Sequence, residues 1–263
     1  FHATAYYGGL PGDGAENVSV VHAEGKTEGD KTTLHNEHGS AVIADGKMQL
    51  LDVDGQEIGM LKRVERESPT LGLEPPENAI VLFDGSDTDA FARATMRDKL
   101  LMAGTVTKQS FGDCLLHLEF RTPFMPFARG QDRGNSGVYI QNRYEVQVLD
   151  SFGLEGKDNE CGGLYSYRAP NVHMCFPPLV WQTYDIIFIA ARFDEKGNRL
   201  TPARVTVQHN GVTIHDDVEL PEESPGAANQ ETEHHGPLQL QFHLNPVQYR
   251  NIWIVERGEE NES

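Results

Sequence analysis

Basic residues are scarce. Against 40 Asp and Glu stand only 22 Lys and Arg, a formal net charge of −18, and such a surface repels phosphate backbones, which argues against nucleic acid as a partner. Long apolar runs are missing too. No stretch approaches the roughly 20 residues that a membrane-spanning helix needs, so a transmembrane segment of that kind is excluded. Three cysteines, Cys114, Cys161 and Cys175, are too few for a disulfide scaffold and lack C-x-x-C spacing. Cys161 and Cys175 flank a Gly, Tyr and Pro-rich stretch that a bridge could close, but buried free thiols are the commoner fate of such residues. Finally, no run of Ala, Glu, Lys, Leu and Arg recurs at helical spacing.

What remains is strand and turn. The 263 residues hold 26 Gly and 14 Pro with 38% hydrophobic residues, enough chain for one large domain, or for one with a smaller appendage. The sequence starts at Phe1 rather than Met, as expected of a mature or trimmed form. Residues 32–66 show short alternating runs separated by Asp45-Gly46 and Asp54-Gly55, both strong hairpin dipeptides, which predict a small β-meander. The Pro-rich "ESPTLGLEPPENA", residues 67–79, predicts a linker with a boundary near residue 77. The expected organisation is therefore a β-rich N-terminal extension with its linker over 1–77, a main domain over 78–258 and a polar tail over 259–263. In the main domain, strand candidates recur at 113–121, 136–149, 182–191, 203–209, 212–215, 237–244 and 250–256, with Asn210-Gly211 as a hairpin turn. The fold class is all-β, an antiparallel sandwich of the jelly-roll type. The polar "PEESPGAANQETEHHGP", residues 221–237, reads as a surface excursion.

Three strand segments share one composition. In "RYEVQVLD" (143–150) Val146 and Val148 alternate with Glu145 and Gln147; in "GVYIQN" (137–142) Val138 and Ile140 alternate with Tyr139 and Gln141. In "PLQLQFHL" (237–244) Leu238, Leu240 and Phe242 alternate with Gln239, Gln241 and His243. Each strand thus has an apolar face and a hydrogen-bonding face. A solvated sheet alternates as well, but repeated Gln is unusual there, and a face of amides with an aromatic suits ligands dense in hydroxyls, which both donate and accept.

Glu145 has no second carboxyl group on its own strand face, which weakens a two-carboxylate glycosidase mechanism unless a loop supplies the partner. The eleven histidines form no compact ligand motif, and His234-His235 falls in the polar excursion, so the metal ligands are undefined and a divalent cation is left open. His243 suits an acid/base, a ligand or a buried structural histidine equally well. Arg250 could hold a ligand oxygen or pair with a carboxylate. Residues 133–137 form a polar turn that caps itself or presents Asn135 and Ser136 at the end of a groove.

The blocks "LFDG" (82–85), "GNSGVYIQNRYEVQVLDS" (134–151), "CGGLYSYRAPN" (161–171), "WQTYDI" (181–186), "HNGV" (209–212) and "PLQLQFHLNPVQYRNIWI" (237–254) together resemble the 3-keto-disaccharide hydrolase family. Also described as 3-keto-glycoside lyase/hydratases, its members were once grouped as domain of unknown function 1080. The resemblance spans residues 79–256 and implies a concanavalin-A-like jelly roll, action on glycosides already oxidised at C3, and export to a bacterial periplasm or cell surface. By matching position, Asn135, Glu145, Gln147, Asp150, Tyr165, His243 and Arg250 become candidates. Where the family often reads L-Q-D-H-G, this chain has Phe242 for Asp and Leu244 for Gly. The usual tryptophan after "LFDG" is absent as well, with Phe91 in its stead.

The chemistry so implied fits a single carboxylate. A C3 ketone acidifies the C2 hydrogen, so one base can form an enolate that expels the C1 substituent, and water adds back. Glu145 is the expected base, His243 the alternative base or the acid, and Arg250, the amides or a cation the stabiliser of the enolate oxygen. Asn135, Tyr139, Gln141, Gln147, Asp150, Tyr165 and Gln241 are the expected substrate contacts. A non-catalytic carbohydrate-binding module on the same fold is the rival reading, and a conventional glycoside hydrolase the third.

Overall fold

The computed structural model describes residues 2–15 and 20–258; the expected tail, 259–263, lies outside the described residues. Among the described residues regular structure is strand apart from one 3-10 turn at Gly130–Asp132. Contacts divide the chain between Arg66 and Glu67, ahead of the expected boundary at 77.

The first unit is a six-stranded antiparallel meander in chain order: β1 (His2–Tyr6), β2 (Val20–Glu28), β3 (Lys31–Asn36), β4 (Gly39–Ala44), β5 (Lys47–Leu51) and β6 (Glu57–Lys62). Asp45 and Gly46 both take left-handed backbone, φ 50° and 70°, the I′ turn whose twist matches a two-residue hairpin. At Asp54-Gly55 the turn is longer, because the Asp52 carboxylate accepts the N–H groups of both Asp54 and Gln56.

The second unit holds β7 (Ile80–Phe83), β8 (Phe91–Ala92), β9 (Met96–Arg97), β10 (Leu100–Met102), β11 (Thr105–Phe111), β12 (Cys114–Arg121), β13 (Ser136–Ile140) and β14 (Tyr144–Val148). It continues with β15 (Gln182–Ile189), β16 (Arg192–Phe193), β17 (Arg199–Thr201), β18 (Ala203–His209), β19 (Val212–Leu220), β20 (Gly236–Leu240) and β21 (Gln248–Glu256). The larger sheet runs β19-β18-β15-β12-β21-β10-β9 with β7 also on β21; the smaller runs β14-β13-β20-β11-β8. Their facing sides form one core. Leu116, Leu118, Phe120, Tyr184, Ile186, Phe188, Val205, Val207 and Ile252 come from the larger sheet, and Val138, Tyr144, Val146, Val148, Leu238 and Leu240 from the smaller. Period-two alternation makes this possible, each buried Leu, Val or Phe contributing about 1.5–3 kcal/mol. The result is a jelly-roll sandwich of the concanavalin-A-like kind, and it turns Glu145, Gln147 and Tyr139 away from the core.

Alternation also turns His117 and Glu119 outward from β12, yet both are buried, at 0% and 1% exposure. Residues 67–73 cover them. Gly72 N–H donates to Glu119 Oε1 at 2.6 Å, Thr70 Oγ1 to Asp185 Oδ2 at 2.7 Å, and the Ser68 and Thr183 hydroxyls meet at 2.7 Å. His117 Nδ1 lies 2.6 Å from Asp185 Oδ1. The stretch expected to be a linker is therefore part of the sandwich. Arg250 belongs to this cluster: its Nε donates to Glu119 Oε2 at 2.6 Å and its guanidinium lies 4.1 Å from the Trp181 ring centre.

Burial pushes the Glu119 carboxyl up, but hydrogen bonds from His117, Asn251, Gly72 N–H and Arg250 outweigh it and hold the group at about 2. A depressed folded pKa contributes stability above the ordinary carboxylate range and loses it as pH falls toward that value. Glu119→Gln should cost about 2 kcal/mol at neutral pH, since it leaves Arg250 without its carboxylate. In urea titrations the variant should also lose stability less steeply than the parent between pH 4.5 and about 2. Parallel curves would show that Glu119 is not held as described.

Candidate active site

β13 and β14 pair with Tyr139 opposite Glu145 and Gly137 opposite Gln147, so the polar side chains of two strands stand side by side. The loop entering β13 adds Gln131 and Asn135, the segment 162–165 bonded to the edge of β14 adds Tyr165, and residues 225–226 form a wall. Together with Gln241 and His243 these groups line one hollow of about 240 Å³. Seven sequence candidates thus meet here: Asn135, Tyr139, Glu145, Gln147, Tyr165, Gln241 and His243.

Three do not. Gln141 follows the end of β13, where left-handed backbone at Gln141 and Asn142, φ 54° and 58°, rotates it off the strand face. Its amide donates to Phe111 O at 2.9 Å and accepts from Arg143 at 2.8 Å. Asp150 is buried against Arg133, whose Nε lies 2.7 Å from Oδ2. Burial raises its pKa while Arg133 opposes the rise, and the pair pins the loop that carries Gln131 and Asn135. Arg250 stands on β21, on the outward side of the larger sheet, so the expected contact to an enolate oxygen is replaced by the Glu119 pair described above.

The alternation read in 237–244 also ends early. β20 stops at Leu240, and Phe242 and Leu244 are 57% and 83% exposed instead of core. Leu244 has left-handed backbone, φ 60°, where the family pattern has Gly. This departure from the strand is what carries His243, itself exposed, to the mouth of the hollow.

Glu145 is 3% exposed. Burial pushes its carboxyl up to about 7, against the pull of a hydrogen bond from Tyr139. Tyr139 Oη lies 2.7 Å from Glu145 Oε2 and 2.9 Å from Pro225 O, and it has a single proton for two acceptors. Once Glu145 is protonated, its O–H donates to Tyr139 and Tyr139 donates onward to Pro225 O, so every group is satisfied. Ionised, the carboxylate competes with the carbonyl. Burial thus favours the neutral acid while the Tyr139 hydrogen bond favours the carboxylate, and between them the proton is held near neutrality. The same surroundings, burial first and the Glu145 charge second, raise the Tyr139 pKa.

The amides are cross-linked. Gln131 Oε1 accepts from Asn135 Nδ2 and Gln147 Nε2, each at 3.1 Å, while Gln131 Nε2 donates to Asn159 O at 2.7 Å. Asn135 Oδ1 is buried with no protein partner, an acceptor free for a ligand hydroxyl. Gln241 Nε2 makes only a 3.5 Å contact to Tyr139 Oη. As metal ligands the hollow offers one carboxylate and one imidazole, and no group of three or more His, Cys, Asp or Glu is placed to hold an ion among the described residues. This donor set does not make a cation site.

Sequence alternation could not reveal Gln131, Pro225 or Gly226. The 221–237 stretch, expected as a surface excursion, instead places Pro225 against Tyr139 and lets Ser224 Oγ accept the Glu145 N–H at 2.9 Å. It also brings Glu222 and Glu223 to an adjoining hollow of about 270 Å³ that shares Glu145, Tyr165 and Pro225. Gly137 is needed here as well: a Cβ there would lie 1.9 Å from Glu145 Oε1, so the carboxylate rests directly over this glycine.

A jelly-roll sandwich whose outward face gathers four amides, two tyrosines, a carboxylate and an imidazole around one hollow belongs to the carbohydrate-active proteins. The chain is a member of the 3-keto-alpha-glucoside-1,2-lyase-like family, whose domain it matches over residues 78–255. A crystal structure of a candidate glycosyl hydrolase from Parabacteroides distasonis is 30% identical with a TM-score of 0.66, covering 79% of this chain and 99% of that one. A second candidate glycosyl hydrolase from the same organism, 16% identical over 69% and 95% of the two chains with a TM-score of 0.51, is alike in fold alone. No curated protein matches the chain.

Gly137→Ala should leave the far-UV circular dichroism unchanged while displacing the Glu145 carboxylate, with a loss of turnover on the order of 100-fold. Turnover equal to the parent's would mean that the carboxylate does not act from this position.

Proposed function

We propose that the protein cleaves 3-keto-glycosides by removing the C2 proton and eliminating the C1 substituent, with water adding back to give net hydrolysis. The observation that carries this reading is Glu145: one buried carboxyl, poised near pH 7 by burial, facing a hollow of amides. A proton α to a ketone needs one base of about that strength, whereas an unactivated glycosidic bond calls for two opposed carboxyl groups.

In this scheme the Glu145 carboxylate takes the C2 proton and the electron pair passes into the enolate. Gln241, with its amide nearly free, donates to the enolate oxygen. Collapse of the enolate breaks the C1–O bond, and His243 at the mouth gives the leaving oxygen its proton. Asn135 Oδ1 and Tyr165 hold ring hydroxyls, and the Gln131–Gln147 pair keeps Asn135 in place. The enone left behind takes up water across C1 and C2.

One observation favours a second reading. Glu222 and Glu223 line the adjoining hollow together with Glu145, so a loop offers the further carboxylates that a conventional hydrolase requires.

The two readings separate on a 3-keto-glucoside and its unoxidised parent. Turnover of the ketone alone is expected, falling about 10²–10⁴-fold in Glu145→Gln; turnover of the plain glycoside would favour the second reading, and turnover of neither a binding module. Activity should rise with pH through about 7 as Glu145 loses its proton. Tyr139→Phe removes a hydrogen bond that favours the carboxylate, so it should move that limb to higher pH. A limb unmoved in Tyr139→Phe would remove Glu145 from the role of base.

A further inference from the structure

Two sulfurs that this chemistry does not use lie beside the site. Cys161 and Cys175 are 0% and 6% exposed and bound the segment that carries Tyr165. Both reach the backbone of Leu149: Cys175 Sγ is 3.5 Å from Leu149 O, and the Cys161 sulfur accepts from the Leu149 N–H and from its fellow thiol. Ser151 Oγ accepts the Cys161 N–H at 3.0 Å, and Tyr184 Oη lies 3.4 Å from Cys161 Sγ. Burial opposes ionising either sulfur, but the hydrogen bonds brought by Cys175 and Tyr184 leave Cys161 below its usual value and Cys175 above it. Among the described residues Cys114 has no such partner, and burial pushes its thiol up to about 12.

The segment between the two matters to the hollow. Gln147 N–H donates to Gly163 O at 2.9 Å, Gly162 N–H to Gln147 O at 3.0 Å and Tyr165 N–H to Glu145 O at 3.1 Å. It thus lies along β14 as an added extended segment beside the strand that bears Glu145 and Gln147.

We propose that Cys161 and Cys175, free thiols in the structure, form an intramolecular disulfide when the chain folds in the presence of a disulfide oxidant, closing the loop that carries Tyr165 at both ends. One cysteine thiolate attacks the oxidant's S–S bond and releases a thiol; the second attacks the mixed disulfide and releases another. Two cysteine thiols are oxidised, the oxidant is reduced to two thiols, and the cysteine protons end on the released sulfurs. Because both sulfurs are sealed in the fold, exchange occurs before the segment closes over them. Cys114, alone in its surroundings, stays reduced.

The test uses the full chain refolded with oxidised and reduced glutathione, then denatured and alkylated without reductant. Trypsin cuts after Lys157, Arg168 and Arg192, which puts Cys161 and Cys175 on separate peptides. The expected map shows these two peptides joined, a single alkylated cysteine at Cys114, and a melting temperature on the order of 5 °C above that of protein refolded with excess reductant. Three alkylated cysteines, a bridge that includes Cys114, or equal melting temperatures would overturn the proposal. The mapping is independent of any activity, so it stands or falls apart from the reaction proposed above.

Discussion

One phenolic proton faced by two acceptors governs the candidate site. Tyr139 stands directly opposite Glu145 across β13 and β14 and meets both the carboxyl and the Pro225 carbonyl, so the protonation of Glu145 decides whether that chain of hydrogen bonds is complete. The rest of the structure serves this arrangement. The sandwich core sets the faces of the two strands, Gly137 leaves room for the carboxylate, and the 221–226 loop delivers the carbonyl. A buried acid with few donors takes its proton affinity from its surroundings, which is what the proposed removal of a proton beside a ketone asks of Glu145.

Much of this was legible in the residues. Two-residue alternation in "GVYIQN" and "RYEVQVLD" correctly put Tyr139, Glu145 and Gln147 on one face, because in a sandwich the core accepts only one face of each strand. Alternation failed where strands end. Gln141 lies past Ile140 in left-handed backbone, and Phe242 lies past Leu240 on a segment that leaves the sheet. It also cannot tell which of two sheets a strand joins. Arg250 has the right composition around it, but β21 pairs with β12 in the larger sheet, so its side chain points to the opposite side of the sandwich from Glu145.

What came from far away in the chain was not legible at all. Gln131 and Pro225 reach the hollow because loops converge, and no local pattern records that Pro225 will sit 2.9 Å from a tyrosine 86 residues earlier. A polar, turn-rich stretch such as 221–237 gives the same signal whether it rests in solvent or closes a site. Conversely, Asp150, expected as a substrate contact, instead pairs at 2.7 Å with Arg133 of the loop that carries Gln131 and Asn135.

The buried polar seam under residues 67–73 bears on how the molecule is cut. The family match starts at residue 78, yet the compact unit starts at Glu67, and Ser68, Thr70 and Gly72 supply partners to Thr183, Asp185 and Glu119. An expression fragment trimmed to the family boundary would strip the roof from an ionised carboxylate and a histidine and expose a water-accessible trench on the back of the sandwich. Family resemblance and compact structure thus begin at different residues, and a truncated gene that keeps this roof should start no later than Glu67.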